Sequence, residues 1–456
     1  MNKIRFFIAL WISKLSIIAL KLTGHNGTNF PGRLALKICP KFLQYISKPK
    51  TIIGVTGTNG KTTVNNLIAD TLNYDKRSVL DNRLGSNTDT GISTALINGV
   101  NIFNKEKYSI ATFEIDERSA VRIYPHVTPT YLLITNLTRD SIMRNGHPEF
   151  ISNVLTKNIP KETKLVLNAE DLISDMVSPN NDRIYYGIDK MDSDVTECIN
   201  LINDMQICPK CSYKLKYNYL RYHHIGNAYC PNCGFKSPKA DYQGKNVDLK
   251  KMTIDIKDHE GTFNYRLLND SVFNIYNVVC TVALLRDMGY TPKRVQELLN
   301  KIEIVKSRYN VTEVNGVKVI MLLSKDRNAL GSSRAFDYAV HTKGNKKFIL
   351  MMNNMSDEKV WSENVCWLYD CDFEFLNRKD IEKIVVTGPR FKDYKLRLLL
   401  AGVKEENVLD THYELDSPEL LEYNKGDVIY LLYGTDNIDL ATSVRDKIVR
   451  IIKEGK

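Results

Sequence analysis

The sequence predicts an α/β protein: a parallel-sheet domain built on a P-loop and interrupted by a four-cysteine zinc ribbon, then a second, Rossmann-like α/β domain. Three observations predict it. Short β-branched runs alternate with helically spaced apolar residues from residue 51 to about 200, and again from about 310. A glycine-rich turn, GVTGTNGKTT, joins the first of these strands to the first helix. Two C-x-x-C pairs fall inside a Cys/Tyr/Lys-rich break at 205–240. The composition agrees: 456 residues, 43% hydrophobic and 25% charged, is a globular chain of two or three domains and excludes a disordered one.

The first element is the run RFFIALWISKLSIIALKL, with a basic start and many large apolar residues. Ser13, Lys14 and Ser16 interrupt it, and the apolar run is shorter than the roughly 20 residues a membrane span needs. The chain continues as TGHNGTNFPG, without a small-residue cleavage site. The run reads as an amphipathic helix, packed on its own domain or resting on a membrane surface. Next come the strand candidates TIIGVT, SIATFEI, TYLLIT and TKLVLN, with crossovers between them. The helix FNIYNVVCTVALLRDMG (273–289) closes this stretch, stopped by Gly289 and Pro292. VKVIMLL, KFILMMN, ENVCWLY, KIVVTG and DVIYLLYG are the strand candidates of the C-terminal domain.

GVTGTNGKTT follows the strand TII and precedes VNNLIADTL, whose Val64, Leu67, Ile68 and Leu72 have helical spacing. That is the setting in which backbone N–H groups and a helix N-terminus hold phosphates. In this role Gly57 and Gly60 let the backbone approach, Lys61 neutralises β/γ-phosphate charge and Thr62 ligates Mg²⁺. The strict G-x-x-x-x-G-K-[ST] pattern wants glycine where Val55 stands, with Gly54 and Gly57 on either side. Glu114, ending SIATFEI, is the candidate carboxylate for the metal; Asp116 and Glu117 read as helix N-terminal charges.

Cys208 and Cys211, then Cys230 and Cys233, give C-x2-C, an 18-residue gap and C-x2-C, the spacing of a structural Zn²⁺ site with four thiolates. His223 and His224 lie between the pairs and could replace a cysteine; with four cysteines present they are expected exposed or packed. Cys39, Cys198, Cys280, Cys366 and Cys371 are scattered among apolar neighbours, as reduced core residues of a cytoplasmic protein are. The net charge of +10 suits nucleotides, phosphorylated lipids or nucleic acid without choosing among them, and a zinc ribbon keeps nucleic acid open.

GVTGTNGKTT resembles the nucleotide loop of the Mur ligases, the ATP-dependent ligases of peptidoglycan precursors. GTNFPGRLALKI, GSNTDTGIST, FEIDE, TNLTRD with MRNG, LVLNAED, the CPxC…CPxC insert, FNIYN, SRYN, WLYDCDFE and VVTGPR follow in the order of the MurT type of that family. The resemblance spans nearly the whole chain. It implies a Mur-ligase-type P-loop ATPase domain at 51–305 with its ribbon at about 205–240, after an N-terminal helix and lead-in at 1–50. A MurT-type α/β domain at 310–456 completes the chain.

The implied activity is ATP-dependent activation of the α-carboxylate of D-glutamate in the lipid II stem peptide as an acyl phosphate. Ammonia then attacks, supplied by GatD, a separate glutaminase subunit. By motif, Gly57, Thr58, Asn59, Gly60, Lys61, Thr62 and Thr63 hold phosphates, and Glu114 with Thr62 holds Mg²⁺. Asn136 and Asp140 sit at the metal and substrate edge, Asn274 and Asn277 contact adenine, and Arg308 faces phosphate. The chain departs from the family at Lys325-Asp326-Arg327-Asn328-Ala329, where K-N-P-A-G is usual, and in NNMSDEKVWSENVCW. There Asn364 takes the place of the aspartate that completes the partner glutaminase's catalytic set, with Glu363 or Asp357 as substitutes. Two other readings fit the residues: a paralogue that binds ATP with an altered or lost ligase step, and a zinc-ribbon ATPase on nucleic acid. The expected location is cytoplasmic, with the inner face of the membrane left open, membrane contact peripheral at most and no nucleic-acid partner expected.

Overall fold

The computed structural model describes residues 2–25, 27–139, 147–268, 271–302, 309–324, 328–352 and 365–455. They form two compact units. One comprises Met1–Leu137, Pro148–Ile199 and Asn203–Val305; the other comprises Thr138–His147, Asn200–Ile202 and Lys306–Lys456.

The first unit holds strands β1 (Thr51–Thr56), β2 (Val79–Asp81), β3 (Ile110–Glu114), β4 (Tyr131–Ile134), β5 (Lys164–Asn168) and β6 (Arg183–Ile188). The hairpin β7 (Lys216–Tyr222) and β8 (Ile225–Tyr229) follows, then β9 (Tyr242–Asp248), β10 (Thr253–Lys257) and β11 (Thr262–Arg266). Nine strands make one sheet, ordered β11-β10-β9-β6-β5-β4-β1-β3-β2, and β7 and β8 pair separately. Every pairing from β2 across to β9 is parallel. The four strand candidates become β1, β3, β4 and β5. Their unbroken apolar runs suit central strands buried on both faces, as the burial of Ile52, Ile53 and Val55 in β1 illustrates.

The strands β9, β10 and β11 add an antiparallel edge. In β10 the residues Ile254 and Ile256 are buried and alternate with partly exposed ones, the pattern of a strand covered on one side. The helix Val272–Asp287 is buried continuously from Ile275 to Arg286 and crosses the back of the sheet. Ser271 caps its start, and Gly289 at φ 90° ends it, close to the predicted span.

The N-terminal run forms the helix Asn2–Leu22, which buries Phe6, Ala9, Leu10 and Ser13 against the unit. The Phe6 and Phe42 rings meet at 5.1 Å. Among the described residues no helix is long and apolar enough to cross a membrane.

The second unit is a sheet of β12 (Tyr309–Val314), β13 (Val317–Leu323), β14 (Lys346–Met351), β15 (Ile381–Thr387), β16 (Val408–Thr411) and β17 (Val428–Tyr433). Its order is β12-β13-β17-β14-β15-β16. Only the β12–β13 pairing is antiparallel; the others are parallel. Asn315 and Gly316, at φ 50° and 79°, make the two-residue turn of that hairpin. Helices Ala329–Val340, Phe391–Leu400 and Ile438–Glu454 cover the sheet.

One strand candidate is corrected. In ENVCWLY the residues Cys366–Asp370 form a 3-10 helix instead. Trp367 and Leu368 are buried as a central strand's side chains would be, which is why the run reads as one. Its backbone is drawn elsewhere: the buried Arg397 donates to the carbonyls of Leu368 at 3.0 Å and Cys371 at 2.9 Å, in place of a strand ladder.

Candidate nucleotide and metal site

Parallel pairing of β1 with β3 sets Val55 opposite Glu114, so the glycine loop and the carboxylate leave the same edge of the sheet. The helix Lys61–Tyr74 begins directly after the loop, with Gly60 at φ 90°. Gly57 has φ 121°, and a Cβ there would stand 2.4 Å from Thr135 Oγ1 and 2.8 Å from the Asn136 carbonyl oxygen. A Cβ on Gly60 would come within 2.7 Å of Asn277 Oδ1. Both positions therefore demand glycine on conformation and on space.

The loop is held from below by β4 and the turn after it. Asn136 accepts from the Asn59 N–H at 3.2 Å and donates to the Asn59 carbonyl at 3.0 Å, while its own carbonyl accepts from the Thr58 N–H at 2.7 Å. Thr135 Oγ1 donates to the Asn59 carbonyl at 2.6 Å. The Thr62 hydroxyl donates to Glu114 Oε2 at 2.7 Å, and Asn87 donates to Glu114 Oε1 at 3.0 Å. A hydroxyl and a carboxylate converging in this way are the donors a phosphate-bound Mg²⁺ takes from a protein.

Lys61 is buried and folded onto its own loop. Its ammonium donates to the Gly57 and Thr58 carbonyls and to Glu117 Oε1 at 2.9 Å. Glu117, 2% exposed, also accepts from the Gly57 N–H at 3.0 Å. Glu117 is the residue that sequence reasoning missed. Asp116 does act as a helix-end charge, accepting from the Arg118 and Ser119 N–H groups. Glu117 instead turns inward and holds the loop lysine. The local signal was only its place in FEIDE; its partner becomes visible once β1 and β3 are neighbours.

Asn274 and Asn277 lie in the first turns of the helix Val272–Asp287; Asn277 stands against Gly60 of the loop and donates to Asn274 Oδ1 at 3.3 Å. Asp140, Arg308, Lys325, Asp326, Arg327, Asp357, Glu363 and Asn364 lie outside the described residues. Asn328 is described and caps the helix Ala329–Val340 by accepting from the Gly331 N–H at 2.7 Å.

The four cysteines come together at the base of the β7–β8 hairpin, their sulfurs all within 4.8 Å of one another. Cys208 and Cys233 Sγ are 3.6 Å apart, and Cys211 and Cys230 Sγ are 3.5 Å apart. Four sulfurs at about 2.3 Å from one Zn²⁺ would be separated by about 3.8 Å, so the set fits that ion. Matching turns build the two halves: the Ser212 N–H donates to the Cys208 carbonyl at 2.9 Å and the Gly234 N–H to the Cys230 carbonyl at 3.1 Å. Hydrogen bonds from the Asn232 side chain and the Tyr213 backbone pull the Cys211 thiol down to about 6, while, against a hydrogen bond from the Phe235 backbone, burial and the neighbouring thiols push that of Cys233 up to about 12. Cys208 and Cys230 share the core of the first unit with Met205, Leu215 and Ala228.

His223 and His224 are both buried and stand apart from the cysteine set. His224 Nε2 lies 3.2 Å from Asp171 Oδ1. Burial opposes it, yet the hydrogen bonds of His224, Ser174 and the Leu137 N–H hold the Asp171 carboxyl below its usual value. At the tip of the hairpin Arg221 bonds Glu170 Oε2 and Asp194 Oδ2, each at 2.8 Å, and the Tyr276 hydroxyl. Burial pushes the Glu170 carboxyl up. Arg221→Met should destabilise the protein by about 3–5 kcal/mol, because two buried carboxylates lose their cation. Denaturant melts of the two proteins measure that difference.

Profiles of two families match the chain: the Mur ligase middle domain over residues 55–233 and the MurT ligase C-terminal domain over 325–433. A lipid II isoglutaminyl synthase (glutamine-hydrolyzing) subunit MurT of Staphylococcus aureus strain COL is 29% identical over 423 residues, 92% of this chain and 93% of its own. The chain is a divergent MurT-type Mur ligase. The subunit MurT of Streptococcus pneumoniae is 28% identical over 85% of each chain. As a member of that family the chain is an ATP-dependent ligase of the synthetase-subunit kind. A pseudomurein peptide ligase type C from Methanothermus fervidus shares the fold at TM-score 0.66, with 19% identity and coverage of 92% and 84%. The MurF ligase from Thermotoga maritima, solved with ADP, shares it at TM-score 0.56 and 16% identity, covering 93% and 85%.

Proposed function

We propose that this chain amidates the D-glutamate α-carboxylate of lipid II or a closely related peptidoglycan precursor, with ammonia from a GatD-type glutaminase subunit. The observation that carries the reading is the convergence of Lys61, Thr62 and Glu114 at one strand edge, in a chain of the MurT type. Gly57 to Thr63 hold the ATP phosphates, with Asn274 and Asn277 on the adenine side. Lys61 releases the Gly57 carbonyl and Glu117 to meet the γ-phosphate, while Glu117 keeps the loop shaped through the Gly57 N–H. Thr62 and Glu114 would hold Mg²⁺, whose charge would offset that of the phosphate oxygens. A carboxylate oxygen of the substrate takes the γ-phosphoryl group and ADP leaves. Ammonia adds to the acyl carbon, inorganic phosphate departs and one proton is lost, leaving the carboxamide.

The 51–305 region is assigned to ATP and 310–456 to the substrate and the glutaminase partner, after a lead-in at 1–50; Arg308 would face phosphate, and Asp140 with Asn136 would take the metal and substrate edge. Glu363, Asp357 or Asn364 would face the partner. Cys208, Cys211, Cys230 and Cys233 would hold Zn²⁺ as a scaffold. The place of Cys208 and Cys230 in the core of the first unit favours bracing over nucleic-acid binding.

The purified chain and the glutaminase subunit from the same source, given lipid II, ATP, Mg²⁺ and glutamine, should convert one carboxyl to carboxamide, read by mass spectrometry of the released stem peptide. ATP binding without amidation of any stem-peptide substrate would establish the altered paralogue instead.

A further inference from the structure

The helix Asn2–Leu22 buries one face and leaves the opposite one apolar. Ile4, Ile8, Trp11, Leu15, Ile18 and Leu22 recur every three or four residues, and all are exposed, Leu15 at 65% and Leu22 at 83%. The side that rests on the unit, through Phe6, Ala9, Leu10 and Ser13, points the other way. Beside the stripe the Trp11 indole donates to the Ile102 carbonyl at 2.8 Å, and Ile102 and Phe103 extend the apolar surface. Lys14 is tied to the carbonyls of Ile97 and Val100 at 2.7 and 2.6 Å.

Charge identifies what covers this face. Residues 1–50 contain nine Lys and Arg and no Asp or Glu, so residues 51–456 carry a formal charge of only +1. Nearly all the chain's net charge therefore lies in the first fifty residues, and the helix itself carries Lys3, Arg5, Lys14 and Lys21 with no acidic residue. Lys3 and Lys21 are exposed on the helix, and Lys105 and Lys107 on the adjoining loop. We propose that this helix lies in the surface of a bilayer rich in anionic lipid, with its apolar stripe at the acyl boundary and its lysines among the headgroups. Phosphate-bearing headgroups complement the basic rim, and the stripe supplies apolar area without spanning. The Trp11 N–H already has its acceptor, so the ring enters the interface with no unmet donor.

The placement has a consequence that rests on the proposed amidation. Leu20, on the last turn, lines a cleft with His25, Asn29, Arg33 and Thr90. Thr90 donates to Asn29 at 2.6 Å, and Asn87, three residues earlier, bonds Glu114. Leu20 is on the inner side of the helix, so a docked helix would hold that cleft about one helix diameter, ~10 Å, from the bilayer surface that carries a lipid-linked peptide.

Flotation of the full chain with vesicles tests the proposal separately from any activity. The chain should float with equimolar phosphatidylglycerol–phosphatidylcholine vesicles, less in high salt, and stay behind with phosphatidylcholine alone. Ile8→Asp/Leu15→Asp should abolish flotation, and Lys3→Glu/Lys21→Glu should weaken it about tenfold or more, with the thermal midpoint unchanged. A second reading needs no aspartate variant: acyl-brominated lipid in the same vesicles should quench a share of tryptophan emission that Trp11→Phe removes. Failure to float with anionic vesicles, or flotation undiminished by the aspartates, would overturn the proposal. So would a dimer in solution that the aspartates split while no vesicle binding occurs, since a second copy would then cover the face.

Discussion

Lys61→Met is expected to lower ATP-dependent turnover by about 10³-fold or more, since a preorganised cation aimed at the transferring phosphoryl group is lost. The structure adds a complication that the loop's sequence hides. Lys61 is also the cation of a buried pair, 2.9 Å from Glu117. Removing it strands a carboxylate in the interior, at about 3–5 kcal/mol, so the single variant confounds chemistry with folding. The double variant Lys61→Met/Glu117→Gln removes the charge conflict. It should recover most of the lost thermal stability and none of the turnover. Recovery of activity in the double variant would show that the lysine serves the fold and leaves the phosphate to others.

The second large effect concerns the cysteines. Cys208→Ser, or prolonged chelation, should remove bound zinc and cost enough stability to leave the chain insoluble or without a cooperative melt. Structural zinc contributes about 10–16 kcal/mol in small isolated domains, and in this chain Cys208 and Cys230 sit in the same core as Met205, Leu215 and Ala228. Elemental analysis of the wild-type chain should give one zinc per molecule. A Cys208→Ser protein with normal metal content and an unchanged melt would remove the metal from the account of this fold.

What could be read from the sequence was what short stretches determine alone. The loop glycines, Lys61 and Thr62 lie within one turn, and two C-x-x-C knuckles each specify their own backbone, so spacing suffices for them. Central strands such as TIIGVT are legible because burial on both faces removes every polar residue. The strands of the antiparallel margin were not, since β9 reads YQGKNVD and only its pairing with β6 and β10 makes it a strand. ENVCWLY failed for the opposite reason. Its apolar content reports burial, whereas its conformation follows from Arg397, some 30 residues downstream. Glu117 shows the same limit at the site. A glutamate three residues past a strand looks like a helix charge until the neighbouring strand delivers a lysine to it. Asn87 and Thr135, which fix Glu114 and the loop carbonyls, likewise acquire their roles only through the sheet order.

The Arg221 contacts also bear on how the chain is made. The hairpin tip meets Glu170 and Asp194, which precede it, and Tyr276, which belongs to a helix the ribosome delivers later. That helix carries Asn274 and Asn277. On a growing chain, where earlier segments fold first, the hairpin that presents Arg221 is complete before the helix that packs on it has been made. Zn²⁺ at the four cysteines, as proposed, would then act on ATP binding from a distance, by steadying the hairpin against which the helix bearing Asn274 and Asn277 rests.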